Sequence, residues 1–535
     1  MPNRSVNLPF HVVVLSALIL LSASLAVGQA ITTYHVDNNR TGWNSQETVL
    51  TPANVASSSF GLLQNVAVDN QVNGQPLFVP AVTITAGNHQ GVHDVVYVAT
   101  ESNTIYAIDA EAGTVLLNPN FGTAANAPTG CKVSGNTTVG ITSTPVIDLS
   151  SNTLYVVIDT QDPTGPAYRI HALDLGSLTD KVPPELIAAS QTLVNGSTFN
   201  FNAAYEMQRP ALLLANGNIY AAFGSYCDGD VSLTRGMLLG WQAGTLTPLA
   251  ANQTLDTQSS SPKDYFLTSI WMSGYGPSTD DSGNILFVTG NSDPTGTTYD
   301  GISDIQESVV KVSSDLTTVL DVFTPSDQPN LDREDGDFGA GGVMVLPDQP
   351  DLVPHLAVAA GKAGKMFVMN EDDLGGYSPI KNNVLGTYDI GGCWCGASYF
   401  VDPSDGIARV VSSGGYNVMV FKVESNSKKT ALTQVSTSPA IAFVNRLGFF
   451  TTISSNGTAS PIIWAVSHAT KTTGDPIYLY AFDPETVVGG SMQQLLVTEA
   501  GSGNSNIVPV VANGEVFVAS HKQLEIFGIL PPRKK

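Results

Sequence analysis

The chain has 535 residues, of which 42% are hydrophobic and only 13% charged, and its formal net charge is −23. An acidic surface without a basic patch repels phosphate backbones, which sets nucleic-acid binding aside. Beyond the first thirty residues no stretch reaches the ~18–20 uninterrupted apolar residues of a membrane span, and none shows long helical periodicity.

In chain order, the first element is a leader. Arg4 gives a basic start, residues 10–27 an apolar stretch, and Gly28-Gln29-Ala30 the small residues of a cleavage site after Ala30. The mature chain, residues 31–530, is therefore expected to be secreted or periplasmic, with residues 31–69 wrapping or closing the fold and 531–535 a frayed basic tail. From residue 96 a pattern begins, VYVATESNTIYAIDAEAGTVL, two short strands joined by a polar turn at Glu101-Ser102-Asn103. It returns seven times, with comparable strand positions at Tyr97, Tyr155, Tyr220, Phe287, Leu356, Val411, Trp464 and Phe517. Many copies follow a further apolar segment and a turn, such as STPVIDLSSNT at 143–153. A hairpin of this kind cannot bury its apolar face alone.

Four-stranded repeats at roughly 40–50 residues, lengthened by loop insertions, are the mark of propeller blades, and ring closure leaves no blade face exposed. The expected fold class is thus all-β, one eight-bladed β-propeller of four-stranded antiparallel blades, or seven if the divergent unit at 408–425 is not a blade. Four cysteines, Cys131, Cys227, Cys393 and Cys395, suit two disulfides in an oxidising compartment, with all three connectivities open. Cys393-Trp394-Cys395 is too tight and isolated for a zinc site. With no C-x-x-C-H, no covalent haem is expected.

The repeat VYVATESNTIYAIDAEAGTVL resembles that of the pyrroloquinoline quinone (PQQ) quinoprotein family, loosely over residues 31–530. That resemblance implies an eight-bladed propeller, and in the family's dehydrogenases a quinone stacked on a Trp in the central funnel. It also implies a calcium ion held by Glu and Asn, an Asp base and an Arg or Lys at the quinone oxygens. In IWMSGYGPSTDDSGNILFVTGN (270–291) the matching positions are Trp271 for stacking and Asn291 for the metal. EDGDFGAGG (334–342) resembles the loop of the base, giving Asp337 with Asp335 beside it, and AAGKAGKMFVMN (359–370) places Lys362 at the quinone. Where the family has its Glu, GSYCDGDVSLTRG (224–236) has none, so Asp228 or Asp230 would substitute as metal ligands together with Asn291 and Asp337. The family's pair of adjacent cysteines is also missing.

Each of these positions has a plainer reading: Trp271 as a core plug, Gly290-Asn291 and Asp335-Gly336-Asp337 as turns. G-x-S-x-G, H-E-x-x-H, P-loop and dinucleotide fingerprints are absent from the sequence. The departures favour a secreted ligand- or protein-binding scaffold using a loop-rich face, where insertions at 292–307 and 323–342 fall. The alternative is a PQQ- and calcium-dependent alcohol or sugar dehydrogenase that passes electrons to an external acceptor. Geometry discriminates: catalysis requires Trp271, Asn291, Asp337 and Lys362 to converge in one funnel.

Overall fold

The computed structural model describes Met1 and residues 28–133, 135–228, 233–259, 266–293, 295–350, 353–426, 429–441, 448–468, 474–503 and 506–532. Most of the segment expected to be a leader (2–27), Asp230 and the last three residues of the expected basic tail (533–535) lie outside the described residues. What is described is all-β; its α-helices, Pro52–Val55 and Gln328–Arg333, have four and six residues, under two turns each.

The first sheet runs in sequence order through Leu77–Ile84, Gly91–Ala99, Ile105–Asp109 and Val115–Leu117, every neighbour antiparallel. The same antiparallel succession recurs over 146–186, 213–254, 278–324, 343–389, 398–437 and 451–502. A last group pairs Val510–Ala512 with Glu515–Ile529, and its outer strand comes from the other end of the chain: Phe60–Gln71 pairs antiparallel with Glu515–Ile529. The described residues thus hold eight groups, and the eight repeat positions from Tyr97 to Phe517 all fall on second strands, buried.

Alternation explains why the groups stack. Side chains on successive strand residues point to opposite faces, and both faces are apolar, so each sheet needs a neighbour on either side. Consecutive groups supply it. One core cluster joins the first and second groups through Val95, Tyr97, Leu154 and Val156. Another joins the last group to the first through Phe517, Leu524, Val96 and Val98, with Phe78 and Phe517 stacked at 5.7 Å between ring centroids.

The segment before Phe60–Gln71 runs through the middle of this ring. Arg40 is fully buried and donates to the carbonyls of Pro277 (2.9 Å), Leu212 (3.2 Å) and Tyr34 (2.8 Å) and to Thr33 Oγ1. His35 contacts the Thr451 carbonyl through Nε2 and the Arg40 carbonyl through Nδ1. Trp43–Asn44 pairs parallel with Thr451–Asn456. Groups three, four and seven are all within reach of this one stretch, which only a path along the axis allows.

Burial also leaves several carboxyls protonated more readily than usual. Glu515 is pushed up to about 8 by burial and by Glu111, Asp94 and Asp109; Glu525 and Glu101 are each held at about 7, chiefly by burial. Their folded pKa values lie above the unfolded ones, so the folded chain keeps protons that the unfolded chain gives up. Their contribution is fully present below about pH 4.5 and is lost as pH rises towards 8. Thermal unfolding should therefore give a higher Tm at pH 5 than at pH 8, and Glu515→Gln should flatten that slope; a Tm that rises with pH would contradict this assignment.

Candidate functional site

In each group the connection entering the innermost strand and the connection leaving the second strand emerge on the same side of the ring. Trp271 and Asp337 precede the inner strands Ser278–Thr279 and Val343–Val345, while Asn291 and Lys362 follow Ile285–Val288 and Leu356–Ala360. All four line one cavity of about 760 Å³ on the ring axis. Asp228, Asp332, Asp335, Arg209, Ser273, Trp394, His468 and Asn506 line it as well.

Backbone contact between two loops builds the centre. Gly339 abuts Gly290 so closely that a β-carbon on it would stand 2.3 Å from the Gly290 nitrogen, which only glycine tolerates. A β-carbon on Gly290 would stand 3.1 Å from Trp271 Nε1 and 3.5 Å from Asp337 Oδ1, a measure of how near these groups converge. Asp337 is 1% exposed; its Oδ1 accepts from the Asn291 amide at 3.4 Å and its Oδ2 from Lys362 Nζ at 3.1 Å. Lys362 also bridges to Asp335 at 2.6 Å, and its backbone N–H donates to the Asp337 carbonyl.

Burial pushes the Asp337 carboxyl up to about 7, with Lys362 pulling it back and Asp228 and Asp335 adding to the rise. Lys362 itself is raised, its carboxylate partners outweighing its burial. Behind Asp337 stands Glu307, fully buried and held well above the ordinary carboxylate range by burial and then by Asp337. One Glu307 oxygen accepts from the Phe338 amide at 2.5 Å and the other has no partner among the described residues.

Further polar atoms at the cavity are buried without partners among the described residues, among them Asn291 Oδ1, Trp271 Nε1, Trp394 Nε1 and Ser273 Oγ. Leaving such groups unmade costs free energy that a ligand can recover. Trp394 packs edge-to-face on Trp271 with ring centroids 5.3 Å apart, and Lys362 Nζ lies 5.4 Å from the Trp394 ring. Trp394 is presented by a short loop closed by the Cys393–Cys395 disulfide. The second disulfide, Cys131–Cys227, ties two connections at the rim across a sequence separation of 96. Cys131→Ser with Cys227→Ser should cost about 2–5 kcal/mol, read as a fall in Tm; an unchanged Tm would show that the sheets alone hold the rim.

Oxygen donors are the right chemistry for a hard cation, and Asn291 Oδ1, Asp337 and Asp228 face the same cavity. Among the described residues no three His, Cys, Asp or Glu converge tightly enough to hold a metal by themselves. A cation would therefore need Asn291 and oxygens of a bound ligand. Asp228, whose Oδ1 accepts from Ser225 Oγ at 2.5 Å, is raised by burial.

The sequence motifs thus identified Trp271, Asn291, Asp335, Asp337, Lys362 and Asp228 as residues the fold brings together. They did not single out Trp394, Glu307, Arg209, Ser273 or His468. Trp394 had a signal in the two cysteines flanking it; the others sit in ordinary loop sequence.

No protein-family model matches the chain, and no curated protein matches it. Solved structures do. A quinohemoprotein alcohol dehydrogenase from Pseudomonas putida HK5 superposes with a TM-score of 0.58 at 12% identity, covering 95% of this chain and 82% of its own. A europium-containing methanol dehydrogenase gives a TM-score of 0.57 at 10% identity, covering 93% of this chain and 98% of its own. At that identity the likeness establishes the fold, a β-propeller of the quinoprotein type, and the fold alone.

Proposed function

We propose that the eight sheet groups are the blades of one ring and that its axial cavity is the cofactor and substrate pocket of an exported dehydrogenase using PQQ and a calcium-type cation. The observation that carries this reading is the convergence of Trp271, Asn291, Asp337 and Lys362 on a single cavity, with the Asp337 carboxyl bonded to Lys362. The orphaned Asn291 Oδ1 and Trp271 Nε1 fit a ligand with polar edges and a flat face. Trp271 would support that face, and Asn291 with Asp337 or Asp228 would hold the cation. Bound PQQ would supply the two-electron acceptor for the substrate's hydride.

The chain's own part is acid–base and electrostatic. Asp337, buried and proton-hungry, takes the hydroxyl proton of an alcohol or sugar. Lys362 sits against the same carboxylate and steadies negative charge developing beside it. The disulfides and the leader at 1–30 support an oxidising, extracytoplasmic location. No helix among the described residues is long and apolar enough to cross a membrane.

One observation favours a binding function without redox chemistry: Trp394 already lies edge-on against Trp271. Calorimetric titration of the purified mature protein with PQQ and calcium, followed by a dye-linked alcohol and sugar oxidation assay, separates the two. The dehydrogenase reading expects tight binding that Trp271→Ala and Asn291→Ala each weaken by about 30-fold, the loss of a buried anchor of ~2 kcal/mol. Folded protein that takes up no PQQ would leave the ligand-binding reading.

A further inference from the structure

The chemistry proposed for Asp337 gives Glu307 no task, although Glu307 reaches the base by two routes. It stands just before the third strand of the fourth group, Val309–Val312, and is fully buried. The first route is through the backbone. The Glu307 N–H donates to the Gly290 carbonyl at 3.0 Å. The other side of that same peptide unit, the Asn291 N–H, donates to Asp337 Oδ1 at 3.4 Å. A peptide that accepts at its oxygen is polarised to donate more strongly at its nitrogen, so the Glu307 backbone supports the contact that orients the Asp337 carboxylate.

The second route is through the side chain. Glu307 Oε2 accepts from the Phe338 N–H at 2.5 Å, and that N–H belongs to the peptide that follows Asp337. The carbonyl of the same peptide accepts from the Lys362 N–H at 3.0 Å. Peptide 337–338 is therefore held at both ends, by Glu307 and by the segment carrying Lys362. The close approach of Gly339 to Gly290 is what brings both loops within reach of one glutamate. Two features speak against a space-filling role. The φ of Glu307 is +52°, a left-handed conformation that is costly for a side-chain-bearing residue and that clusters at working sites. Its Oε1 has no partner among the described residues, so the carboxyl is desolvated for the sake of one hydrogen bond, where an apolar side chain would fill the volume without that penalty.

We infer that Glu307 is the positioning residue of Asp337, its backbone and carboxyl together holding the loops at 290–291 and 337–338 in the relation that presents the Asp337 carboxylate to the cavity. Glu307 touches neither cofactor nor substrate and acts only through its neighbours. For its kinetic consequence the inference rests on the reading of Asp337 as the base; for its structural consequence it rests on the hydrogen bonds alone.

The experiment compares two variants of the full mature protein. Glu307→Gln keeps the reach and an acceptor oxygen for the Phe338 N–H. Glu307→Asp keeps the carboxyl but is one methylene too short for that contact, and aspartate tolerates the left-handed backbone. The readouts are calorimetric titration with PQQ and calcium, dye-linked steady-state kinetics, and hydrogen–deuterium exchange of residues 334–342 by mass spectrometry. Glu307→Asp should lower kcat by about 10²-fold, the loss expected when a reacting group is misplaced by about 1 Å, while PQQ affinity stays within about threefold of wild type. It should also speed exchange over residues 334–342 by about tenfold. Glu307→Gln should keep both kcat and exchange within about threefold of wild type. A residue that only fills space would lower Tm in the shorter variant and leave kcat of the folded protein unchanged. Glu307→Asp with wild-type kcat, or with wild-type exchange, would overturn the assignment, as would Glu307→Gln impaired to the same degree as Glu307→Asp. A wild type that takes up no PQQ and oxidises nothing, with exchange raised in Glu307→Asp and not in Glu307→Gln, would fell the dehydrogenase reading and keep Glu307 as the tie between the two loops. Should Glu307→Asp fail to fold, Glu307→Gly, which suits the φ and removes the carboxyl, provides the same comparison with glutamine.

Discussion

Asp337→Asn should leave PQQ and substrate binding close to wild type and lower turnover by about 10²–10⁴-fold, the range typical of losing a positioned general base. The substitution is nearly isosteric. The amide oxygen can still accept from Lys362 Nζ or from the Asn291 N–H, the two contacts the carboxylate makes now. Lys362 keeps its bridge to Asp335, so the loop retains a charged tie. What disappears is the ability to take a proton, and that should fall on kcat rather than on Kd. Calorimetry beside steady-state dye-linked kinetics reads the split. A variant that turns over at the wild-type rate would remove Asp337 from the chemistry; one that loses binding as well would make it chiefly a cation ligand.

Arg40→Leu should be the most destabilising single substitution away from the cavity, by about 3–5 kcal/mol, because it leaves several buried acceptors without a donor at about 1–3 kcal/mol each. The carbonyls of Pro277, Leu212 and Tyr34 would each lose a donor in a place that leucine fills with apolar atoms. Lysine would not repair it, since one ammonium cannot span acceptors set in the fork of a guanidinium. Thermal and denaturant unfolding of Arg40→Leu and Arg40→Lys would measure this. Small effects in both would mean that the axial segment adds little to holding the ring.

The repeat was legible because its signals are local. Period-two alternation and polar turns mark the second strands at Tyr97, Tyr155 and the six that follow, and those strands stand where the pattern puts them. The site was half legible. Trp271, Asn291, Asp337 and Lys362 sit in motifs around two adjacent sheets, where family likeness and chain neighbourhood coincide. Arg209, Ser273 and Trp394 have their meaning from packing between groups, which sets an arginine before the third group against the turn that carries Ser273 and Gly274. The cysteine pairing was open for the same reason: Cys131 and Cys227 sit on connections that only the ring brings together. Arg40 reads as a solvated turn residue in HVDNNRTG until strands from distant groups surround it.

The pairing of Phe60 with Ile529 has a temporal side. Strand Phe60–Gln71 is made early and Glu515–Ile529 last, so the edge that the first awaits stays empty through nearly all of synthesis. A chain of such high contact order searches slowly for its final partner, and until then two sheet edges stand open to other chains. A nascent molecule is in that state by necessity, which makes a chaperone, or a low concentration of newcomers, a condition for recovering this protein intact. Any stop that removes Glu515–Ile529 should yield inclusion bodies rather than a slightly weaker propeller.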